Sequence, residues 1–156
     1  MPRAPLQVLV VPYRRTHAGL EVAVLHRTDY EAWQFVSGGV ELGESTGEAA
    51  RREGFEEAGI ARDAIYLELD ARAMVPACWF PAWATWPADI LVVPEHAFAV
   101  ETAEITLSAE HDDVHWLGYA EAVARLRFDS NRVALWELRE RLEPGPRCKR
   151  TAFEDI

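Results

Sequence analysis

Cysteines and long apolar runs are scarce in this sequence of 156 residues. Cys78 and Cys148 lie far apart and form no CxxC pair, so we expect neither a disulfide framework nor a zinc site. Cys78 is predicted to be a small buried apolar residue. The apolar run from Leu6 to Val11 is too short for a membrane span and has no small-residue cleavage site behind it. The expected location is therefore the cytoplasm.

Basic charge is scarce as well. The chain has 16 Lys and Arg against 26 Asp and Glu, a formal net charge of −10, and Lys149 is its only lysine. Nucleic acids and anionic membranes attract basic surfaces, so neither is expected as a partner. The apolar content of 49% predicts one folded domain, which we assign to residues 1–143. Residues 144–156, which begin Pro-Gly-Pro, are predicted to be a flexible C-terminal tail.

Strand and helix patterns are mixed irregularly along the chain, which indicates a single α+β or mixed α/β domain. The predicted strands are Leu6–Val11, Val22–Leu25, Ala64–Val75, Leu91–Val93 with Ala97–Glu101, and Val114–Leu117. The predicted helices are Gly47–Ala58, Tyr119–Arg127 and Asn131–Leu142. Tyr13–Gly19 is interpreted as a hairpin loop, and Asp129–Asn131 supplies N-cap candidates for the last helix.

One helix concentrates the acidic chemistry. Ser45 and Glu48 fit a capping box that starts it, and Gly59 suits its C-terminal end. Three carboxylates, at Glu53, Glu56 and Glu57, are spaced i, i+3 and i+4, so they share one face and repel one another. A divalent cation would relieve that repulsion, and clustered oxygen ligands favour Mg²⁺ or Mn²⁺.

Glycines accompany this helix on both sides of its start. Gly38, Gly39 and Gly43 are predicted to form a tight loop that folds back over the helix. Gly54 lies in the middle of the helix, where glycine costs about 1 kcal/mol relative to alanine. With Ala50 and Ala58 it forms a stripe of small residues. We infer that the helix packs closely on the sheet there or accommodates a bulky aromatic side chain.

The segment Gly38–Ile60 resembles the Nudix box, G-x5-E-x7-R-E-U-x-E-E-x-G-U, in which U is aliphatic. The matching residues are Gly38, Glu44, Arg52, Glu53, Glu56, Glu57, Gly59 and Ile60, and Gly54 departs from the first aliphatic position. Outside the box, the chain resembles the bacterial dihydroneopterin triphosphate pyrophosphohydrolase branch of that family. The segments that carry this resemblance are 3–11, 24–27, 33–41, 107–111, 116–117 and 130–132.

The resemblance implies a Nudix fold, a mixed β-sheet in an α/β/α sandwich. It implies a Mg²⁺-dependent pyrophosphohydrolase, with Mn²⁺ as a possible substitute, that cleaves a (deoxy)nucleoside triphosphate or dihydroneopterin triphosphate to a monophosphate and pyrophosphate. Glu53, Glu57 and Glu56 would bind the metal with Glu110 from outside the box, while Glu44 and Arg52 orient them. Glu53 or Glu110 would be the general base. The residues that would contact substrate are Arg3, His26, Arg27, Ser37, Gly38, Gly39 and Trp79.

Several alternatives stay open at this point. The box is equally compatible with the hydrolysis of dinucleoside polyphosphates or nucleotide sugars, and a regulatory module that binds nucleotides without catalysis is the third hypothesis. The chain could act as a monomer or a homodimer. The aromatic segment Trp79–Trp86 could stack on a base, plug the core or form a dimer contact. Trp116 and Trp136 are both predicted to belong to the core.

Overall fold

The structure is a computed structural model that describes residues 2–145. Most of the predicted tail, from residue 146 onward, lies outside the described residues. The described chain forms seven strands, three α-helices and two short 3₁₀ helices. The elements are β1 (Arg3–Thr16), β2 (Gly19–Arg27), β3 (Trp33–Gln34), β4 (Val36–Glu41), α1 (Thr46–Ala58), β5 (Tyr66–Pro76), 3₁₀ helices at Ala77–Trp79 and Pro81–Thr85, β6 (Val92–Glu101), β7 (His111–Gly118), α2 (Tyr119–Arg125) and α3 (Asp129–Leu142).

The strands form one mixed sheet in the order β3-β2-β1-β6-β5, with β4 paired to β1 and β7 paired to β2. Only β1 and β6 run parallel among the described pairs; the others are antiparallel. The long strand β1 pairs with β4 near its start, where Gln7 faces Gly39, and with β2 near its end, where Tyr13 faces Val22. The sheet therefore opens between β4 and β2, and this opening positions the site described below.

Apolar side chains of β1 alternate between the two faces of the sheet, as the twofold period of a strand requires. Leu9 and Val11 join one core, which α2 and α3 cover, and Val8 and Val10 join a second core, which α1 covers. Both cores are fully buried. This arrangement confirms the expected sandwich of helices on both sides of a mixed sheet. Between residues 2 and 145, each helix falls short of the length and apolar character that crossing a membrane requires.

The three predicted helices are confirmed, and the two pieces predicted around residues 91–101 form the single strand β6. The predicted hairpin loop Tyr13–Gly19 is too long, because β1 and β2 stay paired to a turn of only His17 and Ala18. The predicted caps of α3 are wrong as well. Phe128 is the N-cap and contributes no side-chain hydrogen bond, while Asn131 is buried inside the helix.

Two predictions of burial are also wrong. Trp136 is 42% exposed because α3 turns Ala134, Leu135 and Leu138 toward the core and leaves position 136 on its outer side. Cys78 is exposed because the three-residue 3₁₀ helix that contains it turns Ala77 inward and leaves Cys78 on the outer side. Trp116, by contrast, is partly buried and packs against the core under α1.

Helix α3 is fixed to the sheet at an irregularity of β5. The register of β5 against β6 shifts between Glu68 and Arg72, which leaves backbone N–H groups without ladder partners. The Glu137 carboxylate accepts hydrogen bonds from the N–H groups of Asp70 and Ala71 at 2.8 and 2.7 Å. This contact holds the C-terminal half of α3 against β5.

Tyr66 explains the glycine in the middle of α1. A Cβ atom at position 54 would lie 2.1 Å from the Tyr66 hydroxyl oxygen. The expected aromatic side chain is therefore present, and β5 supplies it. The Tyr66 hydroxyl is buried and has no hydrogen-bond partner within residues 2–145. Burial raises the pKa of Tyr66 to about 12.

We expect the effect of Gly54→Ala on the free energy of unfolding to change sign with the residue at position 66. In the native background the new methyl group meets the Tyr66 hydroxyl, and overpacking of roughly 1–3 kcal/mol outweighs the helix propensity gain of about 1 kcal/mol. In a Tyr66→Phe background that oxygen is gone, so the same change should stabilise the protein. Urea unfolding of the wild type, the two single variants and the double variant measures both effects. An equal cost of Gly54→Ala in both backgrounds would contradict this explanation.

Candidate active site

Helix α1 begins and ends as its sequence dictates. The Ser45 hydroxyl accepts a hydrogen bond from the Glu48 N–H at 3.1 Å, and the Glu48 carboxylate accepts one from the Ser45 N–H at 2.8 Å. Gly59 adopts a left-handed conformation with φ of 68° at the C-terminal end. Both predicted caps are confirmed. They fix the length of the helix, and with it the direction of its acidic face.

The three box carboxylates of α1 lie in different environments. Glu53 and Glu57, one turn apart, are buried with exposed fractions of 9% and 4%. The Glu56 side chain is about half exposed at the edge of the same face. Burial raises the pKa of Glu53, and Arg52 opposes that rise. The helix therefore presents two enclosed carboxylates and one that remains open to solvent.

Arg52 links these carboxylates to the strand beside them. Its guanidinium donates to both Glu44 oxygens at 2.9 Å, to Glu53 Oε1 at 2.6 Å and to the backbone oxygen of Gly39 at 2.8 Å. A weaker contact reaches Glu56 Oε2 at 3.4 Å. The hydrogen bond from Arg52 lowers the pKa of Glu44, which stays ionised at neutral pH. Arg52 thus fixes the orientation of Glu53 through a rigid planar fork.

The two glycines of β4 allow side chains to approach from opposite faces. A Cβ at Gly38 would lie 2.0 Å from the Glu53 carboxyl carbon, and a Cβ at Gly39 would lie 2.3 Å from Arg3 Nε. The prediction that these glycines form a loop is wrong, because the register with β1 makes them a strand. Only Gly43, with φ of 88°, lies in the turn before α1.

Glu57 is the least compensated of the carboxylates. Its Oε2 atom is buried and accepts no hydrogen bond within residues 2–145. Burial, then the charges of Glu53 and Glu110, raise the pKa of Glu57. The nearest basic atom is His111 Nδ1 at 3.9 Å, and burial lowers the pKa of that imidazole, so it stays neutral at pH 7. Glu57 therefore has an oxygen available to a positively charged ligand.

Arg27 connects the end of β2 to the loop before β7. It donates to Glu110 Oε2 at 3.2 Å and to both oxygens of Asp29 at 2.8 and 2.7 Å. His26 points elsewhere and contacts Asp112 at 2.6 Å and Glu31 at 3.2 Å. The hydrogen bond to Asp112 raises the pKa of His26. Of the two neighbours, Arg27 is the one that faces the acidic site.

A cleft of about 970 Å³ joins these groups. Its lining includes nine of the residues selected from the sequence, namely Arg3, Arg27, Ser37, Gly38, Gly39, Glu53, Glu57, Trp79 and Glu110. Four others do not line it, namely His26, Glu44, Arg52 and Glu56. Outside the cleft, Arg52 donates hydrogen bonds to both Glu44 and Glu53 and so holds the Glu53 side chain in place.

The aromatic segment after β5 divides into two parts. The Arg3 guanidinium lies 4.4 Å from the centre of the Phe80 ring, and Trp86 Nε1 donates to the Arg3 backbone oxygen at 2.8 Å. These two aromatic residues hold Arg3 in the cleft. Trp79 and Trp83 are exposed, which excludes a core plug for them, and Trp79 lines the cleft.

The sequence analysis missed the polar residues at the far end of the cleft. Gln7, Glu95, Ser130 and Asn131 all line it, and all except Ser130 are buried. One signal was present in the sequence, because Gln7 interrupts the apolar run Leu6–Val11. A buried amide in a central strand needs hydrogen-bond partners, so it indicates a polar cavity beside the strand.

The acidic residues suit a divalent cation. Their donors are carboxylate oxygens, the ligands that Mg²⁺ and Mn²⁺ prefer, and Glu57 Oε2 is buried without a partner. As the side chains are arranged, no three acidic, histidine or cysteine residues among residues 2–145 converge on one point. The reason is visible in the ion pairs, since Arg52 draws Glu53 and Glu56 toward itself and Arg27 draws Glu110.

Known proteins match this chain over most of its length. The model of the NUDIX domain matches residues 4–136. A NUDIX hydrolase from Listeria monocytogenes is 41% identical with a TM-score of 0.80, and the alignment covers 90% of this chain and 95% of that one. The dihydroneopterin triphosphate pyrophosphohydrolase of E. coli is 26% identical with a TM-score of 0.71, again over 90% and 95% of the two chains.

A curated relative, an octanoyltransferase from Myxococcus xanthus, is 35% identical over 103 residues. The alignment covers 64% of this chain but only 26% of the relative, so the chain spans about a quarter of that protein's length.

The buried carboxylate helix beside a cleft that holds arginines is the arrangement of a phosphoanhydride hydrolase. The match over residues 4–136 makes the family definite: this chain belongs to the Nudix family. Its hydrolase neighbours support a pyrophosphohydrolase enzyme, and members of this family generally use divalent metal ions.

Proposed function

We propose that the protein is a Mg²⁺-dependent pyrophosphohydrolase that cleaves a (deoxy)nucleoside triphosphate or dihydroneopterin triphosphate to a monophosphate and pyrophosphate. The observation that carries the proposal is the pair of buried carboxylates, Glu53 and Glu57, which line one cleft together with Arg3 and Arg27. The 26% identity with the E. coli dihydroneopterin triphosphate enzyme supports this substrate class.

Glu53 and Glu57 would hold the metal ion. Glu56, on the same face of α1, and Glu110, on the loop before β7, would be its further ligands. A bound Mg²⁺ would neutralise charge on the bridging phosphates and lower the pKa of a bound water molecule. Oxygen donors make Mg²⁺ the proposed ion, and Mn²⁺ would substitute for it. The unpartnered Oε2 of Glu57 is the observation of this structure that favours such a ligand.

The protein's own cations would bind the polyphosphate. Arg3 Nε is buried without a partner in residues 2–145, and the Phe80 ring stacks against its guanidinium. Arg27 also lines the cleft. Both guanidinium groups suit phosphate oxygens because they offer several donors in one plane. Arg52 acts through Glu53 as a positioning residue, since it does not line the cleft.

Two carboxylates are candidates to take the proton from the attacking water. Glu53 already accepts a hydrogen bond from Arg52 at 2.6 Å, which reduces its basicity. Glu110 lies on a loop with its side chain about half exposed and can approach a bound substrate. We propose Glu110 as the general base on this ground.

A substrate panel tests the proposed function. We expect pyrophosphate release from dNTPs or dihydroneopterin triphosphate in Mg²⁺, and none when EDTA replaces the metal. Rates on a dinucleoside tetraphosphate and on ADP-ribose should be lower. A higher rate on either of these would favour the alternative hydrolase reactions instead. Tight binding of a nucleotide in Mg²⁺ with no turnover of any compound would show a regulatory module and reject the proposal.

A further inference from the structure

A buried carboxylate lies at the end of the cleft away from the acidic helix. Glu95 is on β6, lines the cleft and is only 7% exposed. Burial raises its pKa, and the Ser130 hydroxyl alone opposes that rise, without help from any cation. An acidic side chain is almost never buried unless it has partners. In this protein the partners would come from a ligand in the cleft.

A chain of hydrogen bonds holds the Ser130 hydroxyl near this carboxylate. The Phe35 N–H donates to Asn131 Oδ1 at 2.8 Å, and Asn131 Nδ2 donates to Ser130 Oγ at 3.2 Å. A hydroxyl that accepts in this way keeps its own proton, and Ser130 opposes the rise in the pKa of Glu95. No other group within residues 2–145 favours the ionised form of Glu95, so lone pairs on its carboxylate remain for a ligand.

Gln7 provides a complementary group on the neighbouring strand. It pairs with Glu95 in the register of β1 and β6, so the two side chains lie on the same face of the sheet. Gln7 is also 7% exposed, and its Oε1 accepts a hydrogen bond from Arg3 Nη2. That contact fixes the amide so that its NH₂ group is the free end. This NH₂ group has no acceptor among residues 2–145.

We propose that Glu95 and Gln7 recognise the edge of a 2-amino-4-oxopyrimidine ring, the edge that guanine and pterins share. The Glu95 carboxylate accepts hydrogen bonds from the exocyclic amino group and the adjacent ring N–H. The Gln7 amide donates to the carbonyl oxygen beside them. This proposal rests on the proposed function and narrows its substrate class to nucleotides and pterin triphosphates that carry this edge.

Other bases fit these two side chains poorly. Adenine and cytosine present one amino group next to a ring nitrogen that only accepts, so the second carboxylate oxygen would face a lone pair. Thymine and uracil present a ring N–H between two carbonyl oxygens, one of which would face the carboxylate. A buried carboxylate opposite a carbonyl oxygen is left unpaired, and this costs binding energy.

The sheet also places this position at a suitable separation from the acidic helix. Glu95 pairs with Gln7, and Gln7 pairs with Gly39 on β4, so two strand spacings of about 5 Å separate Glu95 from β4. Glu53 contacts that strand at the neighbouring Gly38 from the other face, and the cleft that Glu95 lines extends to Glu53 and Glu57. A base bound at Glu95 would therefore direct its phosphates toward Arg3, Glu53 and Glu57 across the cleft.

The test compares dGTP with dITP, which lacks only the 2-amino group. We expect the wild-type protein to prefer dGTP in kcat/KM, and Glu95→Gln to reduce that preference roughly tenfold, because the substitution removes a charged acceptor. Because burial raises the pKa of Glu95, assays at about pH 8 favour its ionised form more than assays at neutral pH do. Glu101→Gln, an exposed change on the same strand, should leave the preference unaltered. Glutamine has nearly the same shape as glutamate and removes only the charge, so the variant should fold, which thermal melting checks.

Equal dGTP/dITP ratios in the wild type and Glu95→Gln would overturn the proposal. Failure of the proposed function looks different, because then the wild type hydrolyses neither triphosphate. In that case the affinities of the same proteins for dGMP and dIMP, measured by calorimetry, test whether Glu95 recognises the base. A preference for dGMP that Glu95→Gln removes supports base recognition, and equal affinities reject it.

Discussion

Replacing Glu57 with glutamine should abolish hydrolysis and yet make the metal-free protein more stable. Glu57 has an exposed fraction of 4%, and its Oε2 has no hydrogen-bond partner in residues 2–145. A neutral isostere loses the charge that would bind Mg²⁺, for which we expect a fall in kcat of about 10³-fold or more. The same change removes a carboxyl group that ionises more readily in the unfolded chain than at this buried position, which should stabilise the fold by about 1–3 kcal/mol at neutral pH.

The stability gain should depend on pH with a definite sign. Burial and neighbouring carboxylates raise the pKa of Glu57 in the folded state. Its contribution to stability is complete below the unfolded pKa and is lost as pH rises through the folded pKa. The advantage of Glu57→Gln should thus be small near about pH 5 and larger near about pH 8.

Urea unfolding in EDTA measures the effect of Glu57→Gln on stability, and pyrophosphate release in Mg²⁺ measures its effect on activity. Glu104→Gln, in an exposed loop, is the matched control and should change neither. Mg²⁺ should also raise the melting temperature of the wild type but not of Glu57→Gln, because only a bound ligand shifts the unfolding equilibrium. Full activity in Glu57→Gln would remove this residue from the metal site.

Local signals explain what the sequence could reveal about this site. The capping box, the C-terminal Gly59 and the spacing of Glu53 and Glu57 all depend on residues within a few positions of one another. The close packing of another side chain against Gly54 was also predictable, because a glycine inside a helix indicates such packing. The identity of that side chain, Tyr66, was not predictable, because Tyr66 reaches α1 only when β5 packs against the helix.

Tertiary contacts decided the features that the sequence concealed. Glu95 follows the apolar run Ile90–Val93 and a proline in the sequence, and it becomes buried only when β6 pairs with β1. Asn131 looked like a helix cap, but its amide is used to hold the Phe35 backbone. His26 and Arg27 are neighbours whose side chains lie on opposite faces, and only the fold shows which of them reaches the cleft.

Arg52 shows how catalytic geometry and stability are connected in this fold. Its side chain is only 16% exposed and holds together α1, β4 and the turn between them through Glu44, Glu53 and Gly39. Removing the guanidinium leaves two largely buried carboxylates without their cation. Breaking such a pair is costly because the remaining charge stays desolvated.

We expect Arg52→Ala to destabilise the protein by about 2–4 kcal/mol and to lower kcat by at least about 100-fold. Arg52→Lys keeps the charge but cannot make the bidentate contact to Glu44 and reach Glu53 at once, so it should recover part of the stability and little of the activity. Thermal melting and kcat at saturating Mg²⁺ measure the two effects separately. Arg15→Ala, at an exposed ion pair of 3.7 Å, serves as the control and should change stability by no more than about 0.5 kcal/mol. Wild-type kcat in a stable Arg52→Ala protein would mean that Glu53 is oriented by the packing of Gly38 instead.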